Sequence, residues 1–289
     1  MPPAQPPLLD AHALIRSDDP ARYPWQPLGP ALEPREMEQG LSYRELLAAL
    51  DSAGVERAIL IQRARLYGYD NRYVRDVAAS DPRRLQWVCQ LNAEDPACAQ
   101  QAREALGAHG AVGLRFMEPT KGASLAWLDS EGARSLWSEA CEQGVPVSVH
   151  FFPWNRGPGL AALARLLGAR RPRALVLDSF AGSAVETGEP DYGIDASLRA
   201  LLEHPGTYLK LTQMTLTRLA AAKLSAAGLI RRVVSLCGAA RVLWGTDVLS
   251  LGQSYESAVG AARDATATLT AAECAQILYG NAASLYPLR

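Results

Sequence analysis

Eight short runs of apolar and β-branched residues recur along this chain, and most of the segments between them have helical spacing. The runs are Leu8–Ala13, Arg57–Gln62, Leu85–Leu91, Ala111–Phe116, Val145–His150, Ala174–Asp178, Tyr208–Leu211 and Arg241–Gly245. Helical patterns cover Tyr43–Ala53, Ala97–Ala108, Glu131–Gln143, Leu160–Ala169 and Leu216–Leu236. Strict alternation of strand and helix calls for a parallel sheet with right-handed crossovers. Eight such units in 289 residues predict an α/β chain folded as a single (β/α)8 TIM barrel, one domain over residues 1–289. The alternative is an open doubly wound sheet. Such sheets usually carry a glycine-rich turn after the first strand, and none follows Ala13.

Loop lengths point to the working face. The connections from helix to strand are tight, as at Gly54, Gly110, Gly144 and Gly206. The connections from strand to helix are long. Residues 14–40 hold Pro20, Pro24, Pro27, Pro30 and Pro34, and residues 179–193 hold Gly182, Gly188 and Pro190. Long loops after strands elaborate the C-terminal face, where barrel enzymes keep their sites. The first of these loops, with Tyr23 and Trp25, is expected either to wall the site or merely to cap the barrel end.

Composition narrows the partners. A formal net charge of −1 excludes a general attraction to nucleic acid or anionic membrane. The five cysteines are scattered with no C-x-x-C pair, so neither a disulfide framework nor a zinc knuckle is expected. Met1 to Pro7 has no basic or apolar segment of a signal peptide, and no run reaches membrane-spanning length. A cytoplasmic protein acting on a small molecule is the expectation, with pairing into a homodimer left open.

The strand ends carry polar side chains: His12, Arg63, Asn92, Arg115, His150, Asp178, Lys210 and Asp247. Burying so many unpaired polar groups is costly, so a shared polar pocket is the economical account. His109 and His204 precede Gly110 and Pro205 and read as surface residues at helix ends. His12, His150 and Asp247 end strands one, five and eight and form the candidate catalytic trio. Arg115 and Lys210, with Arg63 or Arg65, are candidate grips for a substrate carboxylate, or else ion pairs of the barrel rim. Phe152 and Trp25 lie in loops of the same face and are expected to wall a flat substrate or to cap the barrel. Tyr67 is a candidate phenol of the pocket.

Several motifs, in order, resemble the amidohydrolase superfamily. They are Asp10-x-His12, Val147-Ser148-Val149-His150, Leu177-Asp178-Ser179 and Leu243-Trp244-Gly245-Thr246-Asp247, with Tyr69-Asp70-Asn71, Gly113-Leu114-Arg115-Phe116 and the run from Leu269 to Tyr286. The nearest branch is that of dicarboxylate lactonases and aminocarboxymuconate-semialdehyde decarboxylase. The resemblance implies a His-x-His pair on strand one and a histidine after the strand-six aspartate. Here Leu14 and Ser179 stand in those places.

The resemblance then implies a hydrolase of degenerate metal site, lactonase-like, acting on a small carboxylated cyclic substrate through a lactone-type ester or C–N bond. Asp247 is its expected general base, with His12 and His150 polarising the carbonyl. No cofactor is expected. A weakly held divalent ion, zinc or manganese, stays open, and its ligands would be His12, His150 and Asp247. Ser179 lacks a Gly-x-Ser-x-Gly elbow and is expected to bind substrate by hydrogen bonding rather than to attack it. The alternatives are a decarboxylase, lyase or cyclase using Asp247 and His150 for proton transfer, and a barrel that binds a ligand without catalysis.

Overall fold

The computed structural model describes residues 7–38, 40–247 and 254–288. All eight expected strands are present: β1 (Leu8–Ala13), β2 (Val55–Ile61), β3 (Leu85–Gln90), β4 (Gly113–Phe116), β5 (Val147–Val149), β6 (Leu175–Leu177), β7 (Thr207–Leu211) and β8 (Val242–Trp244). They pair in chain order and in parallel from β1 to β8. The residues after β8 return to β1, where Asp247 donates its backbone N–H to the His12 carbonyl at 2.8 Å. The sheet is thus a barrel of eight strands with helices outside it.

The strand runs are nearly continuous apolar stretches because both faces are covered. A large outer cluster, with Leu8, Leu60, Leu114, Val147 and Leu209, packs the sheet against the helices. A small cluster fills the barrel, with Leu9, Ala11, Ile59, Ile61, Val88, Val176 and Leu243. Leu285 and Tyr286 join that inner cluster and floor the N-terminal end. Arg57 and Gln86 fasten this floor by donating to the carbonyls of Tyr286 and Pro287 at 2.9 and 2.8 Å.

One local irregularity positions the site. The register of β1 against β2 slips between Asp10 and Ala13. Before the slip, Leu9 and Ala11 face the inner cluster; after it, Leu14 does, while Ala13 and Ile15 face outward. A bulge of this kind switches which residues face inward. It places His12 and Leu14 on the inner face.

Two expected helices differ. Leu216–Leu236 is not one helix but two, Gln213–Ala221 and Ala226–Cys237. The break falls at Lys223, whose φ is 55°, and Ser225 caps the second helix by accepting the Gly228 N–H at 3.1 Å. The helix expected at Leu160–Ala169 begins earlier, at Arg156, and takes in Gly157, Pro158 and Gly159. No helix among the described residues is long and apolar enough to cross a membrane.

Candidate active site

The C-terminal strand ends converge on a buried ionic cluster whose hub is Asp178. Arg115, at the end of β4, donates Nε to Asp178 Oδ2 at 3.0 Å. Lys210, on β7, places Nζ 2.9 Å from Asp178 Oδ1, a contact of opposite charges. His12 Nδ1 lies 3.7 Å from the same oxygen and 3.4 Å from Lys210 Nζ. Asp178 and Lys210 are fully buried. Burial opposes ionisation of Asp178, but Lys210, His12 and Arg115 override it and hold the carboxyl well below the usual carboxylate range.

The other ring nitrogen of His12, Nε2, lies 3.6 Å from Asp247 Oδ1. The Asp247 side chain is 8% exposed. Burial pushes its carboxyl up from the ordinary value, with His12 pulling the other way. Its backbone is left-handed, φ 49°, which costs energy for a non-glycine residue and turns the chain sharply off β8. Gly245 lets this approach happen: a Cβ there would sit 2.4 Å from the His12 Cβ. The Gly-Thr-Asp sequence thus has a mechanical reading. Glycine admits the strand end, and threonine and aspartate bind it.

Asp10 supplies that binding from behind. Its buried carboxylate accepts the N–H of His12 at 2.9 Å, the N–H and hydroxyl of Thr246 at 2.8 and 2.6 Å, and the Tyr255 hydroxyl at 2.8 Å. Four donors on one buried carboxylate fix the bulge of β1 and the end of β8 together. Asp10 appears in the sequence motif, but nothing in the motif shows what it holds, and the partner Tyr255 lies far away in sequence.

His150 follows β5 and is buried. Burial first, and then the Arg115 charge, depress its pKa to about 3, so it is a neutral imidazole. Its Nδ1 has no hydrogen-bond partner among the described residues. The Phe152 ring meets it edge-on at 4.8 Å and stacks flat on Trp154 at 4.7 Å and 6°. Ser179 opens a run of three left-handed residues, Ser179, Phe180 and Ala181, with φ of 48, 55 and 55°. Its hydroxyl pairs with that of Thr212 at 2.7 Å.

Three other expected residues are placed with the long first loop. The Tyr67 hydroxyl accepts the Ser17 N–H at 2.7 Å and is buried. Arg63 donates to the Glu36 carbonyl at 3.1 Å. Arg65 binds the Glu36 carboxylate at 3.0 Å and the carbonyls of Pro30 and Ala31. The loop is therefore pinned as a wall beside β2. Trp25, on this loop, is 36% exposed.

A family profile described as amidohydrolase matches residues 9–288. The chain belongs to the amidohydrolase family. The expected family, and with it the expectation of an enzyme, are borne out. No curated protein sequence matches it significantly. Among solved structures it is similar to a probable 2-pyrone-4,6-dicarboxylic acid hydrolase from Acinetobacter baumannii with citric acid bound. Identity is 18%, the match covers 96% of this chain and 98% of that one, and the TM-score is 0.74. A zinc-bound amidohydrolase from Burkholderia multivorans is 19% identical over 98% and 99% of the chains, with a TM-score of 0.74. A 5-carboxyvanillate decarboxylase from Novosphingobium aromaticivorans, complexed with manganese and 4-hydroxy-3-methoxy-5-nitrobenzoic acid, is 14% identical over 98% and 96%, with a TM-score of 0.65.

The donors of this chain fit a divalent ion poorly. Of His12, His150 and Asp247, the close pair recorded is His12 with Asp247. Among the described residues no group of three His, Cys, Asp or Glu side chains is gathered as a ligand set. Leu14 packs with the inner apolar cluster. Any cation drawn between His12 and Asp178 would meet the Lys210 ammonium beside both.

Proposed function

We propose that this amidohydrolase is a hydrolase of a small carboxylated cyclic ester, a lactone, with Asp247 as general base. The observation that carries the reading is the Asp247 carboxylate itself. It is almost wholly buried at the end of β8, raised in pKa by that burial, and 3.6 Å from an imidazole nitrogen of His12. A carboxylate of raised basicity in a dry site suits proton abstraction from water near neutral pH. His12 and Arg115 pull the carboxyl the other way and offset part of the burial.

In this reading Asp247 takes a proton from water, and the water oxygen attacks the ester carbonyl. His150, neutral and with an unused buried nitrogen, contacts the carbonyl oxygen as charge develops there. A preorganised donor of this kind is worth roughly 2–4 kcal/mol. The His12 ring lies beside the Asp247 carboxylate, 3.6 Å away, and favours its charged form. Phe152 and Trp154 flank the approach to His150 and favour a flat, conjugated ring. Arg115 and Lys210 supply positive potential toward a substrate carboxylate, although Asp178 already takes most of it. Arg63, Tyr67, Trp25 and Ser179 shape the wall around this pocket. The similarity to a probable pyrone dicarboxylate hydrolase agrees with a carboxylated lactone. The poor fit of the donors to a divalent ion favours a metal-free reaction.

Decarboxylation is the second reading, favoured by the similarity to decarboxylases acting on benzoate-type acids. It needs proton delivery and no attacking water. Incubating the protein with carboxylated lactones and with hydroxylated aromatic acids separates the two. Hydrolysis yields a product one water heavier, and decarboxylation a product one carbon dioxide lighter.

A further inference from the structure

We propose that Lys210 is the resident cation of this site and a positioning residue that sets the tautomer of His12. The inference rests on the reading of Asp247 as the base only for its consequence in catalysis. The geometry itself does not.

Lys210 is fully buried, and its Nζ touches two groups: Asp178 Oδ1 at 2.9 Å and His12 Nδ1 at 3.4 Å. A buried ammonium without partners would be prohibitively costly, and the ionised Asp178 offsets that cost. Arg115 occupies the other oxygen of Asp178, so the aspartate is shared between two cations from strands on either side of it. The ammonium has three donors and no acceptor. The ammonium lies nearer His12 Nδ1, at 3.4 Å, than does Asp178 Oδ1, at 3.7 Å, and we take that nitrogen to present its lone pair to the ammonium. In neutral imidazole the single proton then sits on Nε2. Nε2 is the nitrogen 3.6 Å from Asp247 Oδ1. The ammonium on one side of the ring thereby turns an N–H toward the carboxylate on the other.

Two consequences follow. One Asp247 oxygen faces an N–H across 3.6 Å, which leaves the other for water. And the lone pair that His12 would need to bind an ion beside Asp247 is absent in this tautomer. Lys210 thus holds a positive charge on the Nδ1 side of the ring, while the Nε2 side, beside Asp247, offers an ion no lone pair.

The test uses the whole protein, labelled with nitrogen-enriched histidine, and needs no substrate. The ring nitrogen shifts of His12, assigned by loss of its signals in His12→Asn, report the tautomer directly. The proposal predicts a neutral ring protonated on Nε2. A ring protonated on Nδ1, or on both nitrogens at neutral pH, overturns it. Lys210→Met is expected to move the proton to Nδ1, where Asp178 accepts it. Calorimetric titration with zinc should then show affinity raised roughly tenfold or more over the unmodified protein, because the repelling charge has gone. An unchanged tautomer in a folded Lys210→Met overturns the proposal. So does stoichiometric zinc binding by the unmodified protein that His12→Asn abolishes. If Lys210→Met does not fold, the spectrum of the unmodified protein still decides. Should Asp247→Asn keep full turnover while His12 is protonated on Nε2, the hydrolase reading fails and the role of Lys210 stands.

Discussion

Asp247 meets His12 twice: its backbone N–H donates to the His12 carbonyl at 2.8 Å, and its carboxylate lies 3.6 Å from His12 Nε2. The contact that closes the barrel and the contact that forms the candidate catalytic pair are made by the same two residues. Fold and site are therefore coupled at this seam, and both depend on Asp10, Thr246 and Gly245 behind it.

Replacing Asp247 by asparagine keeps the shape and removes the base. Turnover is expected to fall by roughly 10²–10⁴-fold. Stability should hold or rise slightly, because the variant no longer buries a charge. Steady-state kinetics and thermal unfolding of the same preparation check both parts. Full activity with an unchanged unfolding midpoint would count against the assignment.

Tyr255→Phe removes the hydroxyl that donates to Asp10 Oδ2. A buried carboxylate that loses a partner typically costs about 1–3 kcal/mol. Urea unfolding should show a loss of that size. Activity should fall as well, because Asp10 holds the backbone of both His12 and Thr246.

Gly245→Ala puts a methyl group 2.4 Å from the His12 Cβ and 2.6 Å from the His12 backbone nitrogen. These neighbours are backbone and a fixed Cβ, so the seam must open. A destabilisation of about 1–3 kcal/mol or more is expected. The loss of turnover should exceed that seen for the same change at Gly54, where an added Cβ meets nothing within 4 Å.

His150 gives a pH signature. Its folded pKa is depressed from the ordinary 6.5 to about 3. Between those values the unfolded chain binds a proton that the folded chain refuses. Its contribution to stability is therefore fully present above pH 6.5 and is lost as pH falls toward about 3. Unfolding free energy measured from pH 7 to 4 should decline, and His150→Asn should flatten part of that decline. An equally steep decline in the variant would assign the loss to other groups.

Much of the architecture was legible in the sequence. Parallel strands covered on both faces are mostly apolar, and Leu175–Leu177 and Val242–Trp244 are apolar throughout for that reason. Helix ends were harder to see. Nothing between Ala220 and Ser225 signals a break by composition, because Lys223 adopts a left-handed backbone without being glycine. In the site, periodicity revealed that His12, Arg115, Asp178, Lys210 and Asp247 end their strands. Pairing among them depends on side-chain direction, which a register slip at Asp10 to Ala13 alters. The sequence left Lys210 and Arg115 open between a grip on a substrate carboxylate and an ion pair, and the structure pairs both with Asp178. What the sequence did not show of Tyr67 and Arg63, its candidates for the pocket, is that they fasten the first loop at Ser17 and Glu36.

The most direct measurement of the central claim follows oxygen. The protein is incubated with carboxylated lactones in water enriched in heavy oxygen, and the product is weighed by mass spectrometry. The account predicts a ring-opened product carrying one heavy oxygen in its new carboxylate, formed by the unmodified protein and lost in Asp247→Asn. Release of carbon dioxide from an aromatic acid, with no heavy oxygen entering the product and no lactone opened, would contradict it.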